Sequence, residues 1–144
     1  MSKLLRLFSA AISIFSCMFS FSMQQGEHNH PQQVLNIIVK DDGNAYLGRD
    51  TIHIDDLSKE LQARFWKSFM GTGKLQSAFT LTFSGNVLAG LKEVALNAIQ
   101  SAQKNALNSI CLEKFKQVYG NLTEQRKQKI EKQFPVLFQK ITPN

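Results

Sequence analysis

Residues 34–144 predict an α+β domain: a small mixed β-sheet, made of a hairpin and one further strand, packed against helices. One helix is long and one is short and C-terminal. Three observations carry this. Val34–Lys40 (VLNIIVK) is rich in β-branched residues and is followed by Asp41-Asp42-Gly43-Asn44, a cluster that turns a chain because Gly and Asn tolerate positive φ. Ala78–Phe83 sets Phe79, Leu81 and Phe83 against Ala78, Thr80 and Thr82, the period of two of a half-buried strand. Between Gly90 and Gly120 there is neither Gly nor Pro, and apolar residues recur at helical spacing.

The elements follow in order. After the turn, Ala45-Tyr46-Leu47 is the returning strand, and Arg49-Asp50 turns the chain again before Thr51-Ile52. His53-Ile54-Asp55-Asp56-Leu57 starts a helix, with Asp55 or Asp56 expected to cap its free N–H groups and complement its positive end. Leu57, Leu61, Phe65 and Phe69, with Trp66 beside them, form one apolar face that stops near Met70-Gly71-Thr72-Gly73. Ser84-Gly85-Asn86 breaks the following strand.

From Val87 to Tyr119, Leu88, Leu91, Ala95, Ile99, Ala102, Ala106 and Ile110 line one face, and Leu107, Cys111, Phe115 and Val118 form a neighbouring row. This predicts one long helix. A break near Lys104–Asn108, with Ile110–Leu112 as a strand, is the competing division. Gly120 is the expected stop. Asn121 or Thr123 then caps a final helix through Phe134, ended by Pro135.

Ahead of this domain, Lys3 and Arg6 precede an uncharged run from Leu7 to Met23, and the first acidic residue of the chain is Glu27. A positive start, an apolar stretch and small residues at its end make a secretory leader. Ser20 and Ser22 would stand at −3 and −1 of a cut before Met23. The run is short of the ~20 apolar residues that span a bilayer comfortably, so residues 1–23 are a cleaved signal or a marginal membrane anchor. Ile14-Phe15-Ser16-Cys17 is a third alternative, an imperfect lipidation box. Residues 24–33 (QQGEHNHPQQ) are polar and aperiodic and read as a linker.

The formal charge of +6 is unevenly spread. From Met23 to Leu112 eight basic residues balance eight acidic ones, whereas Glu113–Asn144 holds seven basic against three acidic. Export makes nucleic acid an unsuitable partner for this tail, and a membrane surface or an acidic protein face suits it better. Arg126, Lys127 and Lys129, with Lys132, cluster around Ile130 and Phe134 on the last helix.

No catalytic constellation emerges, and no cofactor or metal is expected. His28 and His30 lie in the linker with only distant His53 to join them. Gly71-Thr72-Gly73-Lys74 lacks the leading Gly and the closing Ser or Thr of a phosphate loop and precedes a strand instead of a helix. It is a turn. Asp41, Asp42, Asp50, Asp55 and Asp56 have turn and cap duties without the ligand rhythm of a calcium loop. Asn121-Leu122-Thr123 has the pattern of a glycosylation triplet. Cys111, in a helical apolar register, is a buried small hydrophobe.

The segment VLNIIVKDDGNAYLGRDTIHIDDLSKEL resembles the opening of the periplasmic domain of the ExbD/TolR family: an apolar strand, a D-G-type turn, a strand and an I-x-x-D-L helix start. AFTLTFSGNVLAGLKEVALNAIQSAQKNAL with FKQVYGNLTEQRKQKIEKQFPVLFQKITP is similar to the longer Bacteroidetes-type ExbD proteins. The resemblance covers residues 34–143. It implies a periplasmic interaction domain, possible as a homodimer, that works with an ExbB/TolQ-like channel and a TonB/TolA-like energy transducer in proton-driven envelope transport. Some family members also touch peptidoglycan.

One departure bears on mechanism. The family's membrane helix carries an aspartate, an ionisable group costly in hydrocarbon and therefore functional. Residues 1–26 here hold no acid, so an accessory or divergent relative is expected. Val34–Lys40 and Ala78–Phe83 are expected to be edge strands open to strand addition by a partner peptide, with Ile37, Val39, Phe79, Leu81 and Phe83 as contact residues.

Overall fold

The computed structural model describes residues 34–142. The leader, the linker and the first two histidines lie outside them. The fold is α+β. Strand β1 (Val34–Lys40) is followed by β2 (Asn44–Leu47) and β3 (Asp50–His53), then helix α1 (Leu57–Thr72), strand β4 (Ala78–Ser84), helix α2 (Ala89–Phe115) and helix α3 (Glu124–Gln133). Short 3₁₀ turns at Ile54–Asp56, Tyr119–Asn121 and Pro135–Phe138 join or follow the helices.

The sheet order is β3-β2-β1-β4. β1 pairs antiparallel with β2, Ile38 opposite Tyr46, and parallel with β4, Ile37 opposite Leu81. A parallel pair needs a long crossover, and α1 provides it. β1 is therefore an inner strand, paired on both sides. The expectation that Val34–Lys40 is an edge is overturned, because an apolar run bordered by one turn does not reveal its second neighbour.

One face of the sheet carries the core. Ile37, Val39, Ala45, Leu47, Phe79 and Leu81 are buried against Leu57, Leu61 and Phe65 of α1 and Ala95, Ile99, Ala102, Ala106 and Ile110 of α2. The small residues Ala95, Ala102 and Ala106 keep α2 close to its neighbours. Side chains of this kind contribute about 1.5–3 kcal/mol each when fully buried, if as large as Leu, Ile or Phe. The opposite face bears Val34, Asn36, Ile38, Tyr46, Thr80 and Thr82, which no element among the described residues covers, the alternation an antiparallel or mixed sheet permits.

Several boundaries differ from expectation. The cap ahead of α1 is His53, whose Nδ1 accepts the Asp55 N–H at 3.4 Å, while Asp56 makes no side-chain cap bond. α2 runs unbroken through Lys104–Asn108 and stops at Lys116, not Gly120. Lys116 adopts φ 56° and its N–H donates to the Leu112 carbonyl at 2.9 Å, a left-handed ending usually given to Gly. Thr123 occupies the N-cap position of α3 without a side-chain bond. Pro135 ends α3 and opens a 3₁₀ turn. At Gly85 φ is 85°, and a Cβ there would meet Asp41 Oδ2 at 3.2 Å; the turn leaving β4 lies against the turn leaving β1.

Tyr119 ties the α2–α3 connection down. Its hydroxyl donates to Glu131 Oε1 at 2.6 Å, and its ring tilts against Phe138 with centroids 5.5 Å apart. Burial, then the Glu131 bond and its charge, push the phenol up to about 12. The folded pKa thus lies above the unfolded value of about 10, so the contribution is complete below about pH 10 and is lost as pH rises toward 12. Tyr119→Phe is expected to cost about 1 kcal/mol at pH 7. In urea titrations that difference should shrink between about pH 10 and 12; a constant gap would show that the hydroxyl bond is not its source.

Candidate interaction surfaces

Each sequence-predicted contact residue has a definite position. Ile37, Val39, Phe79 and Leu81 are at most 3% exposed and belong to the core; Phe83 is half-buried, with Lys92 Nζ 5.5 Å from its ring centroid. A partner strand could use the backbone of β4 but not the side chains of the four buried residues. On α3, Arg126 and Lys129 are exposed. Arg126 lies over the Phe115 ring at 5.2 Å and Lys127 Nζ bonds Glu124 Oε1 at 2.8 Å. Two of these three cations are thus engaged within the fold, and exposed pairs of that kind add little stability.

The sheet has two edges. At β3, the two-residue turn Gly48-Arg49 closes on the Leu47–Asp50 pair, and the Ile54 N–H donates to the Gly43 carbonyl at 3.0 Å. Alternation aims the Asp50 and Ile52 backbone groups at β2 and those of Thr51 and His53 outward. Alongside runs a shallow groove of about 440 Å³ between β3 and α1, lined by Thr51, His53, Asp56, Lys59 and Glu60. Arg64 ties β3 to α1 by bonding both Asp50 and Glu60. The groove presents both signs of charge beside a backbone edge that no strand among the described residues pairs. A second groove of about 420 Å³, between α1 and α2, holds Trp66, Gln62 and Leu112, with Leu112 46% exposed.

At β4 the edge is occupied in part. Gln139 Oε1 accepts the Phe79 N–H at 2.9 Å, and Gln139 Nε2 donates to the Phe79 carbonyl at 2.7 Å. The tail that carries Gln139 is held by Gln103, the one buried polar residue of the described core. Its Nε2 donates to the carbonyls of Val136 at 2.8 Å and Gln139 at 3.1 Å. Sequence patterning missed both glutamines, since neither interrupts an apolar period nor belongs to a motif.

The remaining candidates have structural duties. Asp42 Oδ1 accepts the Asn44 N–H at 2.9 Å and Oδ2 accepts the Tyr46 hydroxyl at 3.1 Å, and the backbone bond from Asn44 leads the effects holding its carboxyl below the usual range. Gly73 takes φ 69° and its N–H closes α1 on the Phe69 carbonyl, the turn expected of Gly71–Lys74. Cys111 is free and fully buried, and burial pushes its thiol up. Among the described residues no three His, Cys, Asp or Glu side chains group as metal ligands, and no helix is long and apolar enough to cross a membrane.

Comparison with family models, with curated proteins and with solved structures yields no match.

Proposed function

We propose that this chain is a non-catalytic periplasmic interaction domain of an ExbD/TolR-like component, acting in proton-motive-force-coupled envelope transport of the TonB or Tol type. The observation that carries the reading is where the resembling segment falls. VLNIIVKDDGNAYLGRDTIHIDDLSKEL becomes β1, its Asp-Gly turn, β2, β3 and the first turn of α1, in the order the family pattern requires. The strand AFTLTF and the long helix follow in that order too. The partners are an ExbB/TolQ-like channel and a TonB/TolA-like transducer, with peptidoglycan or the membrane surface as neighbours. Residues 1–26 hold no carboxylate, so this segment does not supply the proton-carrying acid.

The open edge of β3 beside its charged groove is the surface best suited to a partner strand. Backbone bonds there supply affinity, and the groove supplies side-chain selection. The test is capture of the tagged full chain from crosslinked envelope fractions, with N-terminal sequencing of the recovered protein. Recovery of a channel or energy-transducing subunit is expected. Its absence, with other envelope proteins recovered in its place, would instead make this an adaptor of similar architecture. A start at Met23 would identify a cleaved leader.

A further inference from the structure

β4 lacks the usual protections of an edge strand. Its sequence AFTLTFS has no charge, no proline and no glycine, whereas natural edges are blunted by charges, prolines, bulges or a covering element. Short uncharged segments of high β-propensity are the ones that pair with copies of themselves. Among the described residues, the hydrogen bonds to its outer edge come from a single side chain, Gln139.

The geometry sets the register of the hazard. Because the Phe79 N–H donates to Gln139 and the Phe79 C=O accepts from it, the period of two aims the same groups of Leu81 and Phe83 off the sheet, while Ala78, Thr80 and Thr82 bond β1. Two antiparallel β4 strands centred on Leu81 would place Leu81 opposite Leu81 and Phe79 opposite Phe83. Every outward residue would then fall in a hydrogen-bonded pair, and each such pair exchanges two N–H···O bonds. The strand is self-complementary in charge as well, since neither copy brings any.

The primary amide of Gln139 makes with Phe79 the same two bonds that a neighbouring strand residue would make. While it is seated, both Phe79–Phe83 pairs are forbidden and only the central Leu81 pair is left. Gln139 is itself fixed from the helix side, its backbone carbonyl bonded by Gln103. We propose that Gln139 is an intramolecular plug on a self-complementary β4 edge, and that the occupant it excludes is a second copy of this chain. The plug concerns β4 alone and does not depend on the family of the protein or on the β3 edge.

Sedimentation velocity of the full chain at tens of micromolar tests this, comparing the native sequence with Gln139→Ala and Gln139→Glu. Gln139→Ala removes both bonds; Gln139→Glu keeps the acceptor for the Phe79 N–H but loses the donor. Both are expected to self-associate at least about tenfold more tightly than the native chain. Adding Thr82→Lys, a charge on an exposed β4 position, should return each to native behaviour. In the native chain, hydrogen exchange should find the Phe79 amide protected at least about tenfold more than those of Leu81 and Phe83. Unchanged sedimentation of folded Gln139 variants overturns the proposal. So does association that Thr82→Lys leaves intact, or a Phe79 amide that exchanges as fast as its neighbours; the exchange measurement stands even where a variant fails to fold.

Discussion

Phe134→Ala is expected to lower the stability of the domain by about 3–5 kcal/mol. The ring is fully buried. It meets Phe69 of α1 edge-on with centroids 5.8 Å apart, and Lys114 Nζ of α2 lies 5.5 Å from its own centroid. One side chain at the end of α3 therefore joins the tail to both larger helices. Truncation leaves a cavity between the tail, α1 and α2. Domains of this size are stable by about 5–15 kcal/mol in total, so a single change of this kind takes a large share. Urea unfolding should show a lower midpoint at unchanged slope, which marks lost stability without a changed unfolded state. Phe134→Leu keeps most of the volume and should cost about 1.5 kcal/mol or less. A loss below about 1 kcal/mol for Phe134→Ala would mean that the C-terminal segment is an appendage and not part of the core.

Period and turn chemistry were enough to find the hairpin, the alternation of β4, the apolar row of α1 and the long helix, because each is a local pattern enforced by burial. What they could not find depended on neighbours distant in sequence. The parallel β1–β4 pairing leaves no mark on either strand, since an inner strand and an edge strand share the same inward period. For the same reason Ile37, Val39, Phe79 and Leu81 looked like contact residues. The alternation that singled them out is the signature of core, and they are in the core. The end of α2 was misplaced because Lys116 takes a left-handed conformation that sequence rules reserve for Gly or Asn. His53 replaced the expected aspartates at the helix start because the chain first makes a 3₁₀ turn, which puts the Asp55 N–H before the imidazole. The glutamine bonds to Phe79 span 60 residues, beyond the reach of any local pattern.

Gln103→Leu is expected to cost about 2–3 kcal/mol although it nearly conserves volume and adds an apolar side chain to an apolar helix face. The cost is that of two carbonyls, on Val136 and Gln139, left without their donor in a region of low water access. The damage should be local. The 3₁₀ turn at Pro135–Phe138 loses its tether to α2, Gln139 loses its fixed position, and hydrogen exchange at Phe79 should quicken while the β1–β2 amides keep their protection. Gln103→Glu carries the argument further, because its carboxylate would point at two carbonyl oxygens. Repulsion and burial raise its folded pKa above the ordinary value of about 4.3. A raised folded pKa means that the protonated form, able to donate to one carbonyl, is the form the fold accepts. Stability relative to Gln103→Leu is therefore highest at low pH and falls as pH rises through the raised pKa. Equal stability of the two variants at pH 4 and pH 7 would show that the tail turns away from position 103, and with it the support that holds Gln139 on the edge of β4.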